Sequence, residues 1–276
     1  MRTAINCFSL RIVVLMLFFG VGMPLMARAG EDAVSALQRG DYGTAFRILR
    51  PMAEKGDVQA QYNVGLMYFN GQGVHRDYSK ALKWFRMAAM RGNAHAQYNL
   101  GVMTANGKGA ATDYTEAMKW YRKAAEQGLV LAQYNLGLLY DKGQGGTRDY
   151  AEALKWYRKA ADQGYAQAQF NVGAMYAAGQ GVAKNDAEAL KWYQRAARQG
   201  LPDAQNNLGL MYAKGLGITQ DYVRAYMWFS LAATAFPASQ SEGRDMALKN
   251  RDAAASEMTA AQITEAQDLA RRWKPE

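Results

Sequence analysis

The stretch Asp57-Val-Gln-Ala-Gln-Tyr-Asn-Val-Gly-Leu-Met-Tyr-Phe-Asn-Gly-Gln-Gly-Val-His-Arg-Asp-Tyr-Ser-Lys-Ala-Leu-Lys-Trp-Phe-Arg-Met-Ala-Ala-Met-Arg-Gly92 decides the fold, because the chain repeats it in register. Its closing half, from Asp77, returns as Asp113-Tyr-Thr-Glu-Ala-Met-Lys-Trp-Tyr-Arg-Lys-Ala-Ala and as Asp149-Tyr-Ala-Glu-Ala-Leu-Lys-Trp-Tyr-Arg-Lys-Ala-Ala. Its opening half, Ala60-Gln-Tyr-Asn-Val-Gly, returns as Ala96-Gln-Tyr-Asn-Leu-Gly, Ala132-Gln-Tyr-Asn-Leu-Gly, Ala168-Gln-Phe-Asn-Val-Gly and Ala204-Gln-Asn-Asn-Leu-Gly. Trp84, Trp120, Trp156, Trp192 and Trp228 stand 36 residues apart. A fixed period of roughly 20 to 50 residues marks stacked supersecondary units that bury a core only against their neighbours. Five full units follow, 57–92, 93–128, 129–164, 165–200 and 201–236.

Each unit reads as two helices. Ala96, Leu100 and Met103 recur at i, i+4 and i+7, one face of a helix A that ends at Gly71, Gly107, Gly143, Gly179 or Gly215. A second glycine two residues on, such as Gly73, allows another positive φ in the connection. Helix B starts at Asp77, Asp113, Asp149, Asn185 or Asp221, residues whose side chains cap free N–H groups. Glu116, Glu152 and Glu188 stand three residues after such a start, in the manner of a capping box. Ala81, Trp84 and Ala88 give helix B its expected buried stripe. Gly65, Gly101, Gly137, Gly173 and Gly209 lie inside helix A, where glycine costs about 1 kcal/mol against alanine. Their register demands a packing reason, and the bulky Tyr and Trp of the helix pair are expected to fill the notch.

Residues 1–29 differ in kind. Arg2 and Arg11 precede the apolar run Ile12 to Gly22, and Ala27-Arg28-Ala29 supplies small residues for a signal peptidase. The pattern predicts a secretory signal cut near Ala29, its run too short for the ~20 residues of a spanning helix. The single cysteine, Cys7, falls inside it, so the exported chain would carry no disulfide or cysteine metal site. Removing Arg2, Arg11 and Arg28 leaves 30 Lys+Arg against 24 acidic residues, a moderately basic chain. Residues 30–56 read as a degenerate N-terminal cap, with Asp41 aligned to Asp77 and Ile48 at the tryptophan position. Residues 237–276 read as a C-terminal helical cap. In it 238–244 form a loop and two helices follow, near 245–256 and 260–273, the second capped by Thr259 with Gln262 and striped by Ile263, Ala266, Leu269, Ala270 and Trp273.

The motif A-x-A-Q-Y-N-L-G-x-x-Y-x-x-G-x-G-V-x-x-D-Y-x-x-A-x-x-W-Y-x-x-A-A-x-x-G resembles the Sel1-like repeat, a longer-looped relative of the tetratricopeptide repeat. The resemblance covers 57–236 and, degraded, 31–56. It implies an all-α fold, a right-handed α/α superhelix, and a role in holding partner proteins, often in bacterial envelope, secretion or signalling assemblies. It also implies that helix A lines the concave, ligand-facing side. Carried over by motif, that side comprises Tyr62, Asn63, Leu66, Tyr98, Asn99, Val102, Tyr134, Asn135, Leu138, Phe170, Asn171 and Asn207, with Asn206, Ala174 and Leu210 at the remaining aligned positions. Relatives that clamp a peptide carboxylate place cations there, where this chain has mostly aromatics and aliphatics.

Rings and amides in such a row can grip an extended peptide. Residues recurring in every copy are equally suited to packing one repeat on the next. A basic row follows helix B: Lys83, Arg86, Lys119, Arg122, Lys123, Lys155, Arg158, Lys159, Lys191 and Arg195. It offers an alternative site for anionic polysaccharide or lipid headgroups in the envelope, or it is a solvated face offset by Glu116, Glu126, Glu152 and Asp162. Export and the absence of a recognition motif argue against nucleic acid. His75 and His95 are the only histidines and lie on different elements, and neither G-x-S-x-G nor S-x-x-K occurs. The sequence therefore predicts no catalytic residue, no metal and no cofactor, and a protein or peptide partner.

Overall fold

A computed structural model describes residues 24–275, with side chains from Ala29 on. The core of the expected signal, with Arg2, Cys7, Arg11 and Ile12 to Gly22, lies outside the described residues. These fall into two compact units, one ending at Arg148 and one beginning at Asp149. Among them every regular element is helical, and no helix is long and apolar enough to cross a membrane.

The first unit holds α1 (Pro24–Gln38), α2 (Tyr42–Glu54), α3 (Val58–Asn70), α4 (Tyr78–Met90), α5 (Ala94–Ala105), α6 (Tyr114–Glu126) and α7 (Val130–Lys142). The second holds α8 (Tyr150–Asp162), α9 (Ala166–Ala178), α10 (Asp186–Arg198), α11 (Pro202–Lys214), α12 (Tyr222–Ala235), α13 (Ser241–Ala255) and α14 (Ala260–Arg272). Helices pack on their neighbours in chain order from α1 to α7 and again from α8 to α13. Each full repeat thus supplies a helix A (α3, α5, α7, α9, α11) and a helix B (α4, α6, α8, α10, α12). The pair α1 and α2 precedes them, with Asp41 capping α2 through the Thr44 N–H as Asp77 caps α4 through the Lys80 N–H.

A closed core forms where two successive repeats meet. Tyr62, Leu66, Ala81, Phe85, Ala88, Ala96, Leu100 and Met103 share one apolar cluster across α3, α4 and α5. Ala81 and Ala88 are fully buried, and their small size brings helix B close to its neighbours. The close approach explains the helix A glycines. A Cβ on Gly65, Gly101 or Gly209 would lie 2.7 Å from the ring of Phe85, Tyr121 or Phe229, and one on Gly173 2.9 Å from Tyr193. Burying such a ring contributes about 1.5–3 kcal/mol, more than the ~1 kcal/mol the glycine costs.

The ring in the notch is therefore the residue after the tryptophan, not the tryptophan itself. Phe85, Tyr121 and Tyr157 are fully buried, while Trp84 and Trp120 keep part of their surface and Trp156, Trp192 and Trp228 lie just below it. An indole carries an N–H that needs a partner, which holds it at the rim of the core. Trp120 Nε1 donates to Glu116 at 3.2 Å and Trp156 Nε1 to Glu152 at 3.1 Å. Of the glutamates expected to complete capping boxes, Glu116 and Glu152 thus serve the indoles, and Glu188 holds Lys191. The second loop glycine also does more than adopt a positive φ. A Cβ on Gly109 or Gly145 would meet the carbonyl oxygen of Tyr78 or Tyr114, in the preceding repeat, at 2.5 Å.

Residues 238–244 are not the expected loop: a 3-10 turn at Ala238–Gln240 runs directly into α13 at Ser241. The polar composition conceals an apolar contact, since Gly243 lies against the Phe236 ring, 2.7 Å from Cε1 for an added Cβ. Thr259 and Gln262 form a full reciprocal capping box at the start of α14. Both α13 and α14 pack on α12, and Trp273 meets Trp228 edge-on at 6.0 Å. The expected stripe of α14 is only partly used, with Ala266 buried and Leu269 left 38% exposed.

Candidate functional site

Helix A places its aromatic and amide positions between repeats rather than wholly on an open face. Tyr62, Asn63, Leu66, Asn99, Val102 and Asn135 are buried, and so is Asn206. Tyr98, Tyr134, Leu138, Phe170, Asn171, Asn207, Ala174 and Leu210 are half-buried. The rings pack first on their own repeat: Tyr62 on Phe85 at 5.9 Å, Tyr98 on Tyr121 at 5.9 Å and Phe170 on Tyr193 at 5.7 Å. Burial pushes the Tyr62 hydroxyl up to about 12, partly offset by the amide of Asn99 in the next repeat. The Tyr193 hydroxyl is likewise raised by burial and partly offset by Asn207. Where Phe85 lacks a hydroxyl Tyr62 supplies it, and where Phe170 lacks one Tyr193 does. At the last repeat Asn250 of α13 donates to Asn206 at 3.0 Å, so the cap meets the same row. What a ligand could touch is the half-buried remainder, the edges of Tyr98, Tyr134, Leu138 and Phe170 with Asn171, Ala174, Asn207 and Leu210.

Sequence reasoning passed over the residue beside that row. Gln61, Gln97, Gln133, Gln169 and Gln205 each donate from Nε2 to the carbonyl eight residues earlier, at the C-terminal end of the preceding helix B. The distances span 3.0–3.2 Å. A polar residue recurring on a buried helical stripe was the available signal. Gln127 and Gln199 extend the clamp by donating to the Oε1 atoms of Gln97 and Gln169, both at 2.8 Å.

The basic row of helix B is largely matched by its own surroundings. Lys123, Lys159 and Arg195 lie over the rings of Trp120, Trp156 and Trp192 at 4.7, 4.4 and 4.5 Å. Arg86 pairs with Glu116 at 2.8 Å, Lys155 with Glu152 at 2.8 Å and Lys191 with Glu188 at 2.5 Å. Arg122 lies over Tyr140, whose hydroxyl accepts from it, and Arg158 lies over Tyr176. Tyr140 and Tyr176 belong to the helix A that follows each arginine. In the second repeat Thr104 replaces that tyrosine, and Arg86 turns to Glu116 instead. Such exposed contacts are each worth about 1 kcal/mol or less. Lys83 and Lys119 stand exposed. Burial lowers the half-buried His95, whose ring packs on Tyr62 at 6.0 Å, while His75 is exposed. Among the described residues no group of His, Cys, Asp and Glu is arranged to hold a metal ion.

The model of the Sel1 repeat matches five consecutive segments, 58–93, 94–129, 130–165, 166–201 and 202–235. The chain belongs to the Sel1 repeat family. Sel1 repeats generally serve as protein-interaction scaffolds, and the family is typically noncatalytic. Among solved structures, a Sel1 repeat protein from Oxalobacter formigenes is 34% identical, over 77% of this chain and 87% of that one, with a TM-score of 0.73. The protein c5321, a protective antigen present in uropathogenic Escherichia coli strains, is 31% identical over 90% of this chain, with a TM-score of 0.56. This chain covers 62% of that protein's length. No curated protein matches.

Proposed function

We propose that this Sel1 repeat chain is a noncatalytic scaffold of the bacterial cell envelope that holds a protein or peptide against the helix A side of its repeats. The observation that carries the reading is the contrast between the two helices. Helix B spends most of its cations on neighbouring rings and carboxylates, its own and those of the next repeat, leaving Lys83 and Lys119 exposed. Helix A leaves Tyr98, Tyr134 and Leu138 half-buried, with bodies already fixed by packing, so a partner gains aromatic contact at little cost in side-chain ordering. Export rests on the pattern in residues 1–29, and N-terminal sequencing of periplasmic material should find a chain starting at Gly30.

Photo-crosslinking tests the side. Benzoylphenylalanine at Tyr134 or at Leu138 should trap the same partner, while at Lys119 it should trap none. A partner trapped from Lys119 alone removes the reading. The exposure of Lys83 and Lys119 at matching places in successive repeats favours a second reading, attraction of an anionic polymer or lipid headgroup. On that reading Lys83→Glu with Lys119→Glu abolishes retention on heparin at low salt; retention that persists discards it.

A further inference from the structure

We infer that Met87 and Met90 of α4 form a reversible oxidation site, where a peroxide converts each thioether to its sulfoxide and a thiol-dependent sulfoxide reductase restores it. The fold stays intact throughout. Met90 is 75% exposed and Met87 43% exposed, and among the described residues of their unit no other large apolar side chain is as open to water. The contrast with the other repeats is in register. Where the first repeat has Met87 and Met90, the next three have Lys123 with Glu126, Lys159 with Asp162 and Arg195 with Arg198. Lys123, Lys159 and Arg195 lie over the indole one turn earlier. The first repeat instead sets two thioethers, one turn apart, on a face that its neighbours keep charged.

The single cysteine is Cys7, so among the described residues methionine is the only source of sulfur and no thiol competes for the oxidant. The sulfur lone pair attacks one oxygen of hydrogen peroxide, and the O–O bond breaks as the S–O bond forms. Sulfur gives up two electrons. The departing hydroxide takes the proton from the oxygen now on sulfur and leaves as water. Two thiols reverse the step, giving water and a disulfide.

Exposure decides which methionines can do this without unfolding. A sulfoxide oxygen on Met87 or Met90 is solvated where it forms. Met67 and Met103 are fully buried in the closed cores, where the same oxygen would sit among apolar side chains with no donor. Oxidation of the α4 pair therefore gives the first repeat a polar outer face, as its neighbours have, and adds no polar group to the helix A row. In the other unit Met246 of α13, 58% exposed, is an internal reference for exposure alone.

The test treats the chain with graded hydrogen peroxide and follows each methionine by peptide mass spectrometry. Met90 and Met87 should gain oxygen roughly tenfold faster than Met67 and Met103, while helical circular dichroism holds steady. Adding methionine sulfoxide reductases for both sulfoxide epimers, with dithiothreitol, should return the α4 peptide to its starting mass. Met87→Leu with Met90→Leu should abolish the early gain on that peptide and leave oxidation of Met246 as it was. Equal rates for Met90 and Met67 overturn the inference. So does helical signal that falls in step with Met90 oxidation, or a sulfoxide on the folded chain that the reductases leave in place. No partner takes part, so the outcome is independent of the crosslinking at Tyr134.

Discussion

Gln97 joins two repeats through both ends of its amide: Nε2 donates to Ala89 and Oε1 accepts from Gln127. Replacing it with leucine removes both bonds; the Ala89 carbonyl keeps the Gly92 N–H and the exposed Gln127 amide keeps the Lys123 carbonyl, so the chain should lose about 1–2 kcal/mol in urea unfolding. The converse is available at the last repeat. Gln205 Oε1 is buried with no partner, and the position equivalent to Gln199 is Ala235. Ala235→Gln should complete the ladder and raise stability by about 1 kcal/mol. Tyr62 gives a pH signature. Its hydroxyl is raised from 10.0 to about 12, so the folded state favours the neutral phenol. That contribution is whole below pH 10 and lost as pH rises toward 12. The wild type should therefore lose roughly 2–3 kcal/mol more than Tyr62→Phe across that window, measured by urea unfolding at each pH. At this scale the sequence showed that Gly65 and Gly101 needed a bulky neighbour. It did not show which one, because Trp84 and Phe85 are adjacent and differ only in which way the helix turns them. The glutamine clamp was hidden because its acceptor is main chain.

Helix positions were legible for the opposite reason: capping aspartates and terminal glycines act within a few residues of themselves. Asp77, Asp113, Asp149, Asn185 and Asp221 each accept the N–H three residues on, where the spacing put the start of helix B. The exception is 238–244, where a ring packed on Gly243 outweighs polar composition. The C-terminal helices depend on α12 for support, and α14 buries little besides Ala266 and the Trp273 contact. Deleting 257–276 should lower Tm by a few degrees and shift tryptophan emission to the red as Trp228 meets water, while helical circular dichroism persists. Loss of all helical signal would show instead that the cap is required for folding.

Within each unit the chain is a succession of nearest-neighbour contacts, so stability should follow the joints between repeats rather than one central core. The period of 36 residues made this much readable at once. The binding side was less readable, because each Tyr and Asn of the row serves the joint and a possible ligand together, and recurrence in sequence does not separate the two. The geometry divides them by what remains exposed. The most direct test is hydrogen–deuterium exchange of the chain alone and with its captured partner. Protection over 98–102 of α5 and 134–138 of α7, with α4 and α6 unchanged, is the expected result. Protection confined to α4 and α6, where the helix B cations stand, would contradict the account.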